Sequence, residues 1–249
     1  AAVGLGSKSN SWYQQLKYNY YSSETTTSST STANSITGEE GLEITTSAIT
    51  VRISQDTRDD YFNPKSGHSI SFANTLSGFG GDTTFIKSVL KSKIFYPINY
   101  GDYTLGLKSG VGFINSLDDK ITSSNRFRLG GKTLRGFDNT GVGPRDTGNN
   151  QVVGGNNYYN FSIELNSDEW MPADTGLNWL VFSDIGSIWG TDYEAGVQGY
   201  DDISPRITYG FGLSMITPVG PLQMIWGFPI QSENYDLEES FQFSIGTSF

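Results

Sequence analysis

The chain has 249 residues, a formal net charge of −10 and no cysteine. The acidic balance argues against a nucleic-acid-binding protein, which needs a basic surface, and the lack of cysteine excludes a disulfide framework and thiolate chemistry. No segment approaches the ~18–20 apolar residues of a membrane-spanning helix, whereas the mean hydropathy of −0.35 is compatible with a membrane β-barrel, in which only alternate residues face lipid.

Large apolar residues alternate with small or polar residues along most of the chain, which is the pattern of β-strands with one apolar face. In chain order, the alternation predicts a strand fragment at 2–6 and ten strands at 11–22, 42–57, 67–78, 84–97, 102–115, 157–166, 178–189, 205–216, 221–230 and 241–249. The last strand carries Phe241, Phe243, Ile245 and Phe249 on its apolar face and Gly246 on the opposite face. Such a strand at the end of an all-strand chain favours a barrel with lipid outside and water inside.

The predicted connections differ in length in a way that is typical of outer-membrane barrels. Tight turns at 7–10, 97–101 and 217–220 contrast with longer loops at 23–41, 116–156 and 190–204, although the connections 79–83 and 167–177 depart from the trend. The Ser/Thr-rich tract 23–41 is predicted to be a flexible surface loop, because its composition cannot bury a core. We therefore predict an all-β fold, an antiparallel transmembrane β-barrel, with a soluble all-β domain as the alternative.

The long connection 116–156 contains the run Leu134-Arg135-Gly136-Phe137, and a loop of this length in a compact domain is usually functional or disordered. This run resembles the (Val/Leu)-Arg-Gly-(Phe/Tyr) motif of the outer-membrane insertase and transporter superfamily whose best-known member is BamA. Four further segments are similar to motifs of the same superfamily: 57–64, 182–189, 217–222 and 241–249. Together the similar segments span about residues 50–249.

The resemblance implies that loop 116–156 folds back into the barrel lumen and that Arg135 pairs there with Glu164 and Asp184. This implication agrees with elementary electrostatics, because an arginine in a partly dehydrated interior needs a partner and its fork binds carboxylates bidentately. In the same reading, Gly136 permits a turn or close packing, and Phe137 is a wedge in the lumen.

The resemblance also implies that residues 1–249 are the C-terminal portion of a 16-strand barrel, starting near its sixth strand, without the soluble polypeptide-transport-associated domains of full-length members. Counted back from the C-terminus, the predicted strands place the long loop between the eleventh and twelfth strands of that barrel, as the superfamily requires. The alternative is that the ten strands close on their own as a smaller barrel, since even strand numbers from eight upward occur.

The function implied by the resemblance is that of an insertase, which folds β-barrel proteins into the outer membrane through a lateral seam beside its last strand. The implied partners are the lipid bilayer, unfolded outer-membrane protein clients and accessory lipoproteins, with the long loops extracellular and the short turns and C-terminus periplasmic. Two alternatives remain, a polypeptide-translocating pore of the same superfamily and a passive porin. No enzymatic activity, cofactor or metal is expected; the sole histidine, His68, lies at a predicted turn without identifiable catalytic partners.

Overall fold

The computed structural model describes residues 1–26, 30–33, 37–118, 120–171, 175–192, 195–217 and 220–245. Its strands are β1 (Ala2–Ser9), β2 (Trp12–Glu24), β3 (Glu43–Asp56), β4 (Gly67–Ser77), β5 (Phe85–Ile98), β6 (Tyr103–Ser116), β7 (Arg145–Asp146), β8 (Asn157–Ser167), β9 (Leu177–Trp189), β10 (Val197–Gln198), β11 (Arg206–Thr217), β12 (Gly220–Gln231) and β13 (Phe241–Ile245). Eleven of them form one antiparallel sheet in chain order, and the short β7 and β10 pair separately. In the described part of the chain, β1 and β13 are not paired with each other.

The alternating residues form strands because each strand of the sheet separates an apolar outer face from a small or polar inner face. In β8 the outward-facing Phe161 and Ile163 are 43% and 44% exposed, whereas the inward-facing Ser162 and Glu164 are both 5% exposed. An exposed apolar face of this extent is stabilised by hydrocarbon rather than by water. The described residues contain no helix that is long and apolar enough to cross a membrane.

The predicted strands are confirmed, and their ends differ by at most two residues, except that residues 246–249 of the last predicted strand lie outside the described residues. The N-terminal fragment is longer than predicted. It is the full strand β1, which pairs with β2 from Ala2 opposite Asn19 to Ser9 opposite Trp12. The apolar signal stops at Leu5 because the following residues are polar on both faces. Backbone pairing continues without that signal, since the ladder hydrogen bonds do not depend on side chains.

The tract 23–41 was expected to be a flexible surface loop; most of its described residues lie at the surface, but residues 30–33 are held by specific contacts. Residues 30–33 pack on the long loop 117–156, and the Ala33 side chain is fully buried beside Val153 and Val197. Asp146 accepts hydrogen bonds from Ser31, Thr32 and Ala33. Hydrogen bonding to one carboxylate therefore orders a segment whose composition offers little to a hydrophobic core.

The described residues of the long loop 117–156 lie against the inner face of the sheet, on the side formed by β5, β6, β8, β9, β11 and β12. Loop and wall form one apolar cluster. The loop contributes Ile121, Phe127, Leu129, Leu134, Phe137 and Val142, and the wall contributes Phe85, Ile114, Tyr158 and Ile188. The lumen was expected to be lined by small or polar side chains. On this side it contains an apolar core instead, because apolar side chains of the loop pack against inward-facing residues of the wall.

Candidate functional site

The site is built where the long loop reaches deepest into the sheet, at Arg135. Leu134 and Phe137, which flank it, are fully buried and anchor the loop tip in the apolar cluster. Glu164 and Asp184 project inward from the neighbouring strands β8 and β9. Strand pairing aligns Asp184 with Ser162 of β8 and Lys108 of β6, and we call such a line of paired residues a row. Lys108 lies eight residues before Ser116, where β6 ends and the loop begins, so the loop reaches ~26 Å down the wall.

Arg135 binds Asp184 in the bidentate fashion that fixes both the position and the plane of the guanidinium group. Its Nε donates to Oδ2 of Asp184 at 2.8 Å, and its Nη2 donates to Oδ1 at 2.6 Å. The backbone N–H of Arg135 also donates to Oδ2, at 3.1 Å. Three hydrogen bonds to one carboxylate thus orient the loop backbone as well as the side chain.

Glu164 completes the site on the other side of the guanidinium group, where Nη1 of Arg135 donates to Oε2 at 3.0 Å. The Arg135, Glu164 and Asp184 side chains are only 8%, 6% and 2% exposed. The structure therefore brings together the three residues that the resemblance singled out, in a geometry that excludes most water. Their role in function stays a prediction.

Three residues of the site were missed by the sequence analysis. Lys108 donates to Oε1 of Glu164 at 2.8 Å, and Ser162 accepts a hydrogen bond from Nη2 of Arg135 at 2.8 Å. The guanidinium carbon of Arg135 lies 3.6 Å from the centroid of the Phe182 ring, which gives a cation–π contact. Two cations and two carboxylates leave the cluster formally neutral, which limits the cost of burying it.

Register is the signal that would have found Lys108 and Ser162. Both lie on the polar faces of their predicted strands, and β6 pairs Lys108 directly with Ser162 of β8, which in turn faces Asp184 of β9. Cross-strand neighbours are ~4.5–5.5 Å apart, within reach of a long side chain. The row becomes visible only when the paired strands are aligned residue by residue.

The loop tip after Arg135 lies directly on the backbone of β12. Gly136 has φ +92°, a conformation that favours glycine, and a Cβ added to Gly227 of β12 would lie 2.6 Å from the Gly136 nitrogen. The contact therefore requires glycine at position 227. Gly136 thus lies at a turn and in close backbone contact with β12.

The loop tip is also hydrogen-bonded to the segment that leads into the last strand. The Gly136 carbonyl accepts from the backbone N–H of Glu239 at 2.9 Å, and the Phe137 carbonyl accepts from Nε2 of Gln242 at 2.7 Å. Asp138 donates its backbone N–H to the Leu237 carbonyl at 3.0 Å. The motif loop and the start of β13 are consequently one hydrogen-bonded unit.

A second buried ion pair, which the sequence analysis did not single out, holds the same segment from the other side. Nε of Arg206, the first residue of β11, donates to Oδ2 of Asp236 at 2.8 Å, and both side chains are fully buried. Oδ1 of Asp236 accepts the backbone N–H of Gly143 at 3.3 Å. The segment 232–240 is therefore clamped between β11 and the long loop.

Asp146 organises the outer part of the long loop. Burial would raise the pKa of its carboxyl group, but hydrogen bonds from Ser31, Thr32, Gly148 and Ala33 outweigh burial and hold the pKa below the ordinary value of 3.8. The ionised carboxylate is thus the form that stabilises the contact between the loops.

The terminal strand β13 pairs with β12 from Phe241 opposite Trp226 to Ile245 opposite Leu222. Phe241, Phe243 and Ile245 are about half exposed on the outer face, as predicted. The other edge of β13 has no strand partner among the described residues. Gly246 and Phe249 lie outside the described residues.

The profile of the Omp85 superfamily domain matches residues 1–249. The outer membrane protein assembly factor BamA of Neorickettsia risticii is 28% identical over 204 residues, which cover 82% of this chain and 27% of the relative. A SAM50-like protein of Schizosaccharomyces pombe is 28% identical over 212 residues, or 81% of this chain and 44% of the relative.

The crystal structure of Haemophilus ducreyi BamA lacking POTRA domains 1–3 has a similar fold, with a TM-score of 0.82 at 19% identity. The match covers 97% of this chain and 52% of that chain. The chain therefore spans less than two thirds of the length of these relatives. The all-β prediction and the resemblance to BamA-like barrels are confirmed, and the chain belongs to the Omp85 superfamily.

Proposed function

We propose that the chain is the barrel portion of an outer-membrane insertase, which assembles β-barrel proteins through a seam beside its last strand. The observation that carries this proposal is the contact of the motif loop with the start of β13: the loop tip hydrogen-bonds Glu239 and Gln242 beside a last strand whose outer face is apolar. An unpaired strand edge is a template on which another strand can grow.

The seam would act by strand pairing rather than by bond chemistry, so we propose no enzymatic activity. Each unsatisfied backbone N–H or C=O group costs several kcal/mol in hydrocarbon. An unfolded client strand that pairs with the free edge of β13 satisfies these groups before it meets lipid, which is β-augmentation within the membrane. Successive client strands would then add to the first until the client barrel closes and separates.

The ion pair of Arg135 would position the seam at a distance. Arg135 fixes the loop tip on β8 and β9, and the loop tip in turn holds Glu239 and Gln242 by hydrogen bonds. These contacts set where β13 begins and hold its first residues against β12. Arg135, Glu164 and Asp184 are thus positioning residues for the edge that would receive the client.

The relatives support assembly over the alternatives. Several bear the name outer membrane protein assembly factor BamA, and one from Xenopus laevis is named sorting and assembly machinery component 50 homolog A. We propose outer-membrane localisation, with extracellular long loops and periplasmic short turns, and unfolded client proteins and accessory lipoproteins as partners. The long loop packs into the lumen beside β6 to β12, which disfavours an open diffusion pore.

Disulfide capture tests the seam without background, because the chain has no cysteine of its own. Ser244→Cys places a thiol on β13, and a client with single cysteines along its terminal strand should form a mixed disulfide with it during assembly into vesicles. Directly paired residues on adjacent strands have Cβ atoms close enough for a disulfide. We expect capture at one register, with neighbouring client positions giving little product.

Ser214→Cys is the matched control. Ser214 and Ser244 lie in the same row, since both are joined to Gln223 through β12, and both are half-buried on the inner face. Ser214 differs in that β11 has strand partners on both edges. Equal capture at both positions, or none at Ser244→Cys with a client that still assembles, would contradict assembly at this edge.

A further inference from the structure

The cations of this acidic chain are concentrated on one part of the inner wall. The inner face of β1 to β6 carries seven of the 16 Lys and Arg residues: Lys8, Lys17, Arg52, Lys87, Lys91, Lys93 and Lys108. Strand pairing places them on one face, opposite the exposed apolar residues of the same strands. The charge of the wall is therefore opposite to that of the whole chain.

The cations lie in successive rows across the strands. Lys17 and Lys87 share one row, through the pairs that join β2 to β5. Arg52 lies in the next row and Lys91 in the row after it. Rows on one face are ~6.6 Å apart and neighbouring strands ~4.8 Å apart, so the backbone positions of Lys17 and Arg52 are about 8 Å apart and those of Arg52 and Lys91 about 12 Å apart.

Few carboxylates lie on this wall. Among the described residues on the inner face of β1 to β6, one is acidic: Asp56, at the end of β3. Its carboxylate pairs with Arg58 at 2.7 Å. Glu164 and Asp184, on β8 and β9, are occupied by Arg135 and Lys108. Within the described residues, Lys17, Arg52 and Lys91 make no ion pair with a carboxylate.

The long loop leaves most of this wall uncovered. It contacts the wall near one end, where Nζ of Lys87 donates to the Asn125 carbonyl at 2.7 Å and the Tyr21 hydroxyl donates to Oδ1 of Asn125 at 2.7 Å. Arg52 and Lys91, farther along the strands, are exposed. The wall therefore offers accessible cations to the lumen, beside the space that the loop fills.

We propose that the inner wall of β2 to β5 binds an acidic polypeptide segment in an extended conformation. Carboxylates two and then four residues apart on one face of the segment pair with Lys17, Arg52 and Lys91, because an extended chain spaces them ~7 Å and ~13 Å apart and the long cationic side chains cover the difference. Ser71, in the row of Lys91, places a further hydroxyl group on the same inner face, where it can bond to the peptide backbone. A lipid headgroup fits less well, because the cations face away from the apolar outer surface.

A dye-labelled peptide of alternating Glu and Thr tests the proposal by fluorescence anisotropy with the intact protein in neutral detergent. The triple variant Lys17→Gln, Arg52→Gln, Lys91→Gln should bind the peptide about tenfold more weakly, since three exposed pairs are lost. The matched control Lys65→Gln, Lys120→Gln, Lys132→Gln changes the net charge equally outside the wall and should bind like the wild type.

Charge reversal gives a gain that misfolding cannot imitate. The variant Lys17→Glu, Arg52→Glu, Lys91→Glu should bind a peptide of alternating Lys and Thr that the wild type does not bind. Equal weakening by the wall and control triples, or no gain on reversal, would overturn the proposal. A third result would also overturn it: the variant Lys17→Gln, Arg52→Gln, Lys91→Gln binds the acidic peptide as tightly as the wild type but no longer binds phosphatidylglycerol nanodiscs. That result would assign the wall to lipid headgroups.

The wall is separate from the edge of β13, so a result against peptide binding at the wall can be told apart from a result against the proposed insertase function. Capture of a client at Ser244→Cys should persist in the wall triple with a client that lacks an acidic segment. Loss of that capture in a correctly folded wall triple would contradict two independent sites.

Discussion

Arg135→Ala should destabilise the protein strongly, because it removes the partner of a buried carboxylate. Asp184 is 2% exposed in its side chain and would retain the backbone N–H of residue 135 but no cation. Glu164 would retain Lys108 at 2.8 Å. Removing one member of a buried ion pair costs about 3–5 kcal/mol, and the loss falls mainly on Asp184 here.

The two carboxylates should therefore differ in their effects. Asp184→Asn leaves Arg135 with Glu164 alone and should cost about 3 kcal/mol. Glu164→Gln preserves the bidentate pair with Asp184 and should cost about half as much, in the range of a hydrogen bond to a charged group. Arg135→Lys should not restore stability, since an ammonium group cannot bind Asp184 bidentately.

The assay is unfolding by urea in detergent, in which heat-modifiable gel mobility measures the folded fraction at each urea concentration. Protection of loop 117–156 from protease is a second readout. Arg58→Ala is the control, because the Arg58–Asp56 pair has the same chemistry but a carboxylate that is 47% exposed. It should cost less than about 1 kcal/mol. Wild-type unfolding midpoints and wild-type protection in Arg135→Ala and Asp184→Asn would refute the stabilising role of the Arg135 ion pairs.

Three further predictions concern the loop. Phe137→Ala should cost about 3–5 kcal/mol, measured by the same urea unfolding, because a fully buried aromatic ring is replaced by a cavity. Gly227→Ala should displace the loop tip, because the new Cβ would lie 2.6 Å from the Gly136 nitrogen, and protease should then cut the loop faster. The contact of residues 30–33 with Asp146 should be fully present above pH 3.8, and it should be lost as the pH falls through the pKa of Asp146 in the folded protein, which is lower than 3.8. The anisotropy of a dye attached to Thr30→Cys measures this loss. Asp146→Asn should abolish this pH dependence, and a wild-type signal that is flat down to unfolding would contradict it.

Much of the sheet was predictable because lipid and lumen impose opposite requirements on alternate residues. The face that carries Phe161 and Ile163 can be read from sequence alone, since a slip of one residue would bury every polar side chain in lipid. Strand order followed from the antiparallel meander, in which consecutive long strands are neighbours. The N-terminal strand was underestimated because its polar half is held by backbone pairing without an apolar pattern.

The interior was less predictable because its contacts join residues far apart in sequence. Asp146 orders residues 30–33 across more than a hundred residues, through hydrogen bonds that leave no periodic signal. The pair of Arg206 and Asp236 is likewise visible only when the loops are placed in three dimensions. Arg135 was found because it lies in a recognisable motif, and its carboxylates were named through the resemblance rather than through pairing.

Client assembly into lipid vesicles that contain the intact protein is the most direct test of the central claim, that β13 is the edge on which clients form. The folded fraction of a client, measured over time by heat-modifiable mobility, should rise faster than in empty vesicles. A bulky maleimide on Ser244→Cys should abolish this acceleration, whereas the same label on Ser214→Cys should leave it intact. Acceleration that survives the label on Ser244→Cys would contradict assembly at this edge.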